Sequence, residues 1–168
     1  MNSEASTLPG PYSLGPEEGD AIWFLATRMT IKASAETTGG MFGLIDNRSA
    51  AGFSPPLHVH QREDEAAWIL EGEVRFVCGD NAYETGPGSF IFLPRGIPHT
   101  FRVEGTADAR ILFLMLPGGF EQFHVEGGRP ATDASIPVPT PDDIAKVHAL
   151  ASKYGNELVG PPLGPRVR

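Results

Sequence analysis

The apolar positions of this chain come in short runs, each cut off by glycine or proline. Residues 21–28 (AIWFLATR), 29–35 (MTIKASA) and 41–46 (MFGLID) open the series, with a break at Thr38-Gly39-Gly40 before the third. The first run is nearly continuous in apolar side chains, which predicts a strand covered on both faces. Residues 47–56 (NRSAAGFSPP) read as a loop that Pro55 and Pro56 stiffen. Residues 66–70 (AAWIL) and 73–78 (EVRFVC) predict a hairpin turning at Glu71-Gly72. Further strands are expected at 82–85, 89–93, 99–103 and 109–116, punctuated by Asp80-Asn81, Gly86-Pro87-Gly88 and the rigid turn 94–98. A strand about every 8–12 residues with turn residues between is the pattern of an all-β barrel or sandwich.

Beyond residue 118 the pattern changes. Residues 119–127 (GFEQFHVEG) read as a short helix, with an edge strand as the competing reading, and 128–140 as a proline-rich linker. Thr140 is placed to cap a second helix, with Pro141 in its first position and Asp142 and Asp143 in its first turn. Ile144, Val147, Leu150, Ala151 and Tyr154 form one apolar stripe at helical spacing, and Gly155 suits the C-terminal stop. A helix over 141–154 follows. Residues 1–20 are polar and rich in Pro, Gly and Glu, which predicts an extended, partly disordered arm. The expected division is an arm at 1–20, a barrel at 21–127, and a linker with a packing helix at 128–168. The arm, through Tyr12 and Leu14, and the helix stripe are candidate contact surfaces.

With 168 residues, 20 of them glycine and 16 proline, the chain suits one turn-rich globular domain. The net charge of −8 and the absence of any Lys/Arg block argue against a nucleic-acid or anionic-membrane partner. Cys78 is the one cysteine, so no intrachain disulfide can form, and a reducing compartment is expected. The N-terminal segment lacks the basic and apolar regions of a signal peptide. The cytoplasm is the expected location.

The candidate chemistry lies between Gly52 and His99. His58 and His60 form a His-x-His pair, and alternate residues of a strand share a face. Both imidazoles therefore project the same way if the segment is extended. Glu65 shares its parity with Ala67 and Ile69, so it points inward if they do. Asp64 is the alternative by one position, and solvation in the acidic loop Glu63-Asp64-Glu65 is the competing reading. His99 opens a strand with Phe101 and Val103 on its face. Three imidazoles and one carboxylate suit Ni, Fe, Mn, Co, Cu or Zn. Four protein ligands on an octahedral ion would leave two positions open for catalysis. Parity offers Phe101, Phe113, Met115 and Phe42 as pocket residues, with Met41, Phe76, Phe90, Phe92 and Phe120 as further candidates. Core packing competes with pocket lining at each. Arg62 and Arg95 flank the motif, and parity makes them solvated.

The spacing Gly52-(5 residues)-His58-Val59-His60-(4 residues)-Glu65-(6 residues)-Gly72 resembles the first cupin motif at every fixed position. Gly88-(5 residues)-Pro94-Arg95-Gly96-(2 residues)-His99 resembles the second, except that Val103 stands where an asparagine is common. The resemblance implies an all-β double-stranded β-helix (a cupin or jelly-roll barrel) with a C-terminal α-helix added, and metal ligands at His58, His60, Glu65 and His99. A narrower resemblance runs through residues 21–25, 55–73, 94–101 and 118–121, Tyr154-Gly155 and Gly160-Pro161-Pro162. These look like the single-domain quercetin dioxygenase-like cupins of actinobacterial type. That likeness implies a metal-dependent dioxygenase cleaving a flavonol or related enolisable aromatic substrate, with dioxygen as co-substrate. It implies Glu65 as both ligand and general base, and a homodimer. The alternatives are a non-redox cyclase, dehydratase or isomerase acting on a polyketide-like molecule, and a binding protein without turnover.

Overall fold

Two antiparallel sheets take up the apolar positions in a computed structural model that describes residues 10–166. The predicted arm falls partly outside the described residues, at 1–9. Within its described part the Tyr12 hydroxyl donates to the Lys32 carbonyl at 2.9 Å. The chain then runs through β1 (Asp20–Phe24), β2 (Thr27–Ala33), the single-turn α1 (Ala35–Thr38) and β3 (Gly43–Ser49). Next come β4 (Pro56–His60), β5 (Asp64–Glu71), β6 (Glu73–Cys78) and β7 (Asn81–Thr85). β8 (Phe90–Leu93), β9 (His99–Glu104) and β10 (Ala109–Leu116) complete the predicted strands. After them come α2 (Glu121–Gly127), the two-residue β11 (Arg129–Pro130), α3 (Pro141–Ala151) and β12 (Asn156–Pro162).

One sheet has the order β11-β1-β2-β3-β10-β5-β8, the other β12-β4-β9-β6-β7. Their inner faces meet around Ile45, Ile69, Val74, Phe76, Leu93, Val103 and Ile111, all essentially sealed from solvent. Fully burying a side chain of this size contributes roughly 1.5–3 kcal/mol. This is an all-β double-stranded β-helix with a C-terminal helix. Among the described residues, no helix is long and apolar enough to cross a membrane.

Several expectations are corrected. The run 21–28 is two strands, not one. Leu25 takes a left-handed conformation (φ 50°), and the Thr27 hydroxyl donates to the Phe24 carbonyl at 2.6 Å, which closes the turn. β1 buries only alternate residues. The predicted hairpin at Glu71-Gly72 does not form, because β5 and β6 belong to different sheets. Gly72, at φ 84°, carries the chain across the gap, and a Cβ there would come within 2.8 Å of Ala109 Cα and the Asp108 carbonyl. A Gly72→Ala exchange is therefore expected to destabilise the fold by about 2–4 kcal/mol, read as a lower urea midpoint at unchanged slope. Phe90 and Phe92 point outward at 59% and 51% exposure, because Ile91 and Leu93 take the inward positions of β8.

α3 follows its predicted signals closely. Thr140 and Asp143 form a reciprocal capping box, and the helix ends through a 3₁₀ turn (Ser152–Tyr154) into Gly155 at φ 68°. Val147 and Ala151 are buried, Leu150 and Tyr154 pack partly on the core, and Ile144 stays exposed. The strand after it, β12, was not anticipated. It is an edge strand, where prolines are tolerated, and it pairs along β4.

Candidate metal centre

β4 carries His58 and His60, and β9 begins at His99 directly across from His58. The sheet ladder thus brings together histidines distant in sequence. One ring nitrogen from each of the three lies within 4.8 Å of the others. The ring centroids of His58 and His99 are 4.7 Å apart, and His60 stacks on His99 at 5.1 Å. Glu65 enters from β5 in the facing sheet, 6% exposed, with its Oε2 3.6 Å from His60 Nε2. Ala67 and Ile69 are buried on the same side of β5. Asp64 turns outward and pairs with the Arg95 guanidinium at 2.8 and 3.1 Å.

Backbone carbonyls set the orientation of two rings. His58 Nδ1 lies 2.8 Å from the Pro56 carbonyl and His99 Nδ1 2.9 Å from that of Ile97. If Nδ1–H donates to each carbonyl, the Nε2 lone pairs are left facing one another. His60 Nε2 and His99 Nε2 are enclosed with no hydrogen-bond partner. Converging, unpartnered lone pairs are costly in a buried site unless a cation sits among them. The donor set therefore fits a transition metal, and three neutral imidazoles suit such an ion without fixing its identity. Cys78 is paired with His99 in the strand register but stands outside this group, and so does the expected fourth ligand Glu65, which approaches it at His60.

His60 is oriented differently from the other two. Its Nδ1 faces Glu63 Oε2 at 3.9 Å, beyond hydrogen-bond reach, and both atoms are buried and unpartnered. Carboxylates in this position steady a metal-bound imidazole. Glu63→Ala is expected to weaken metal affinity by about 10–100-fold, measured by competition with a chelating dye, with Glu63→Gln retaining part of it.

Burial dominates the titration of these groups. It lowers all three imidazoles, His60 to about 3, with the neighbouring histidines adding repulsion at His58 and His60. It pushes Glu65 up to about 8. The 3.6 Å approach of His60 to Glu65 is thus a neutral contact in metal-free protein, and a bound cation would reverse that preference. The pH dependence of the metal-free fold follows. The imidazoles, neutral in the fold but protonated below about 6.5 when unfolded, withdraw stability as pH falls below 6.5, His60 until about 3. Glu65, protonated in the fold but ionising near 4.5 when unfolded, withdraws stability as pH rises toward 8. The melting temperature of chelator-treated protein is expected to peak near pH 6.5. Glu65→Gln is expected to flatten the alkaline side of that curve.

The centre opens into a mostly apolar cavity between the sheets. Phe101, Phe113 and Met115 line it, together with Ile45, Phe53 and Phe120. Phe42 does not: it lies ahead of β3, where its carbonyl accepts from the Thr38 hydroxyl. Phe76 is sealed in the core away from the cavity, and Met41 is exposed. No lysine or arginine lines the cavity among the described residues. Polar lining groups that the sequence does not place here include His124 on α2, His148 on α3 and Asn156 on β12. Asn156 stands opposite His60 in the ladder, within a strand that was itself unforeseen.

The protein is thus a two-sheet double-stranded β-helix with three convergent histidines at one end. Residues 48–115 match the Cupin domain family model, which supports the cupin superfamily for this part of the chain. Quercetin 2,3-dioxygenase of Bacillus subtilis (strain 168) is 24% identical over 135 residues, covering 80% of this chain and 40% of that protein. This chain thus spans well under half of that relative's length. Among solved structures, a predicted oxalate decarboxylase from Thermotoga maritima superposes with a TM-score of 0.54 at 22% identity. That match covers 60% of this chain and 94% of the other. The nucleoside dehydratase Pac13 superposes at 0.55 with 13% identity, covering 67% and 88%. These structures share the fold.

Proposed function

We propose that this chain is a metal-dependent dioxygenase that opens the heterocycle of a flavonol-like, enolisable aromatic substrate. The observation that carries this reading is the junction of three convergent imidazoles, His58, His60 and His99, and the buried Glu65 carboxylate beside His60, with an apolar cavity that no lysine or arginine lines among the described residues. Such a lining favours a flat aromatic molecule over a phosphorylated sugar. The weak likeness to quercetin 2,3-dioxygenase points the same way.

In this reading His58, His60, His99 and Glu65 hold one divalent transition metal. The metal supplies Lewis acidity and a place for dioxygen to meet the substrate. Glu65 is the general base and takes the proton of the enolic hydroxyl on its carboxylate. Burial lifts its affinity for that proton, and a nearby cation lowers it, which brings it toward the operating pH. Phe101, Phe113 and Met115 exclude water and hold the rings flat.

The test uses protein loaded in turn with Ni, Fe(II), Mn, Co, Cu and Zn, with dissolved oxygen and released carbon monoxide followed after adding quercetin. Oxygen uptake with stoichiometric carbon monoxide is expected for at least one metal. No uptake with any metal and several flavonols would sink the reading. Turnover of an enolisable substrate under argon would move the assignment to a non-redox cyclase, dehydratase or isomerase.

A further inference from the structure

The cavity contains an imidazole that the metal set does not use. His124 lies on the buried side of α2, next to Phe123 and one turn after Phe120. α2 is held in place by Glu121, fully buried, whose two carboxylate oxygens accept from the Ala35 and Gly119 amides at 2.7 and 2.8 Å. This clamp fixes where His124 sits. Its ring meets Phe24 edge-on at 4.8 Å and Phe120 at 5.2 Å. Phe120 in turn lies 4.2 Å from the His60 ring, so a single aromatic ring separates His124 from the metal histidines. Nδ1 of His124 is enclosed without a hydrogen-bond partner, and the ring is part of the cavity lining. Burial first, then His60 and His58, lower its pKa to about 3. A neutral imidazole both donates and accepts, so it can pair with a hydroxyl, a phenolate or a carbonyl. A buried ring nitrogen that lacks a well-formed protein partner is a candidate for completing its bonding with water or with a ligand.

We propose that the His124 imidazole hydrogen-bonds a second polar group of a planar ligand seated at the histidine centre, with the Phe24 and Phe120 rings fixing the ligand plane. The inference rests on the flavonol reading above and adds a specificity residue to it. The ligand class is a fused or linked aromatic carrying an oxygen about one ring removed from the oxygen held at the centre. An aromatic with a single polar edge would satisfy the centre but leave His124 unpaired.

The test is equilibrium binding to the Zn(II)-loaded full chain without turnover, by fluorescence titration with quercetin and with 3-hydroxyflavone, which lacks the distant hydroxyls. Wild-type protein is expected to prefer quercetin by about tenfold, the worth of one buried hydrogen bond. His124→Phe, which keeps the aromatic cage, is expected to remove that preference while leaving zinc content and 3-hydroxyflavone affinity in place. His124→Asn is expected to restore part of it, which a purely structural role would not produce. Equal affinity of wild type for the two flavonols overturns the inference without any variant, and so does full quercetin affinity in His124→Phe. Wild-type protein that binds neither flavonol overturns the flavonol reading, and this inference with it.

Discussion

His99→Ala is expected to reduce the metal content of the protein from about one ion per chain to below a tenth, while leaving the fold in place. The reason is the scarcity of replacement donors. The three imidazoles are the one His/Cys/Asp/Glu group with metal-binding geometry among the described residues, and Cys78 lies outside it. With one imidazole gone, a metal would keep His58, His60 and the proposed ligand Glu65, and affinity would fall steeply. Stability of the metal-free protein should move far less. His99 Nε2 is an enclosed nitrogen without a partner, so its removal relieves an unfavourable group while it opens a small void. Elemental analysis and thermal melting of one preparation check both halves. Metal retention at wild-type level would refute the ligand assignment. Loss of the fold would show that His99 holds the barrel together rather than an ion.

Glu65→Gln is expected to lower the turnover of metal-loaded protein by about 10²–10⁴-fold, the usual cost of removing a positioned general base. The amide matches the carboxylate in size, so packing in the sealed β5 face is preserved. It also offers a weaker oxygen ligand, which makes partial metal loss the second expected effect. The two are separated by comparing turnover per bound metal, with metal quantified in the assayed sample. Activity per metal that survives the exchange would remove Glu65 from the proton-transfer role and leave it as a ligand alone.

The strand-by-strand pattern was legible because each strand repeats its alternation locally. Glu65 could be placed with Ala67 and Ile69, and His99 with Phe101 and Val103, from parity alone, and each of these groups shares a buried face. α3 was legible for the same reason: its cap, its proline and its terminating glycine are all local signals. What could not be read is which sheet a strand joins. β5 and β6 look like any hairpin pair, and only the approach of Ala109 and Asp108 to Gly72 shows the chain changing layers there. Phe90 and Phe92 satisfy a period of two as well as Ile91 and Leu93 do, so the pattern permits either face inward. β12 was hidden because Gly160, Pro161 and Pro162 look like loop residues, and their place in a strand depends on its edge position. A lone histidine on a short helix carries no periodic signal, so the place of His124 in the cavity lining is not legible in the sequence.

The position of β12 also bears on the order in which the site is assembled as the chain is made. β4 holds two of the three histidines, yet its ladder with β9 is a single residue pair, and its longer ladder is with β12. β12 is the last strand in chain order. A nascent chain therefore displays His58, His60, Glu65 and His99 before the segment that aligns the first two has emerged. Non-local pairing of this kind is slow to form. Until residues 156–162 dock along it, the His-x-His pair would be held loosely, and docking of that strand would fix the two imidazoles in place.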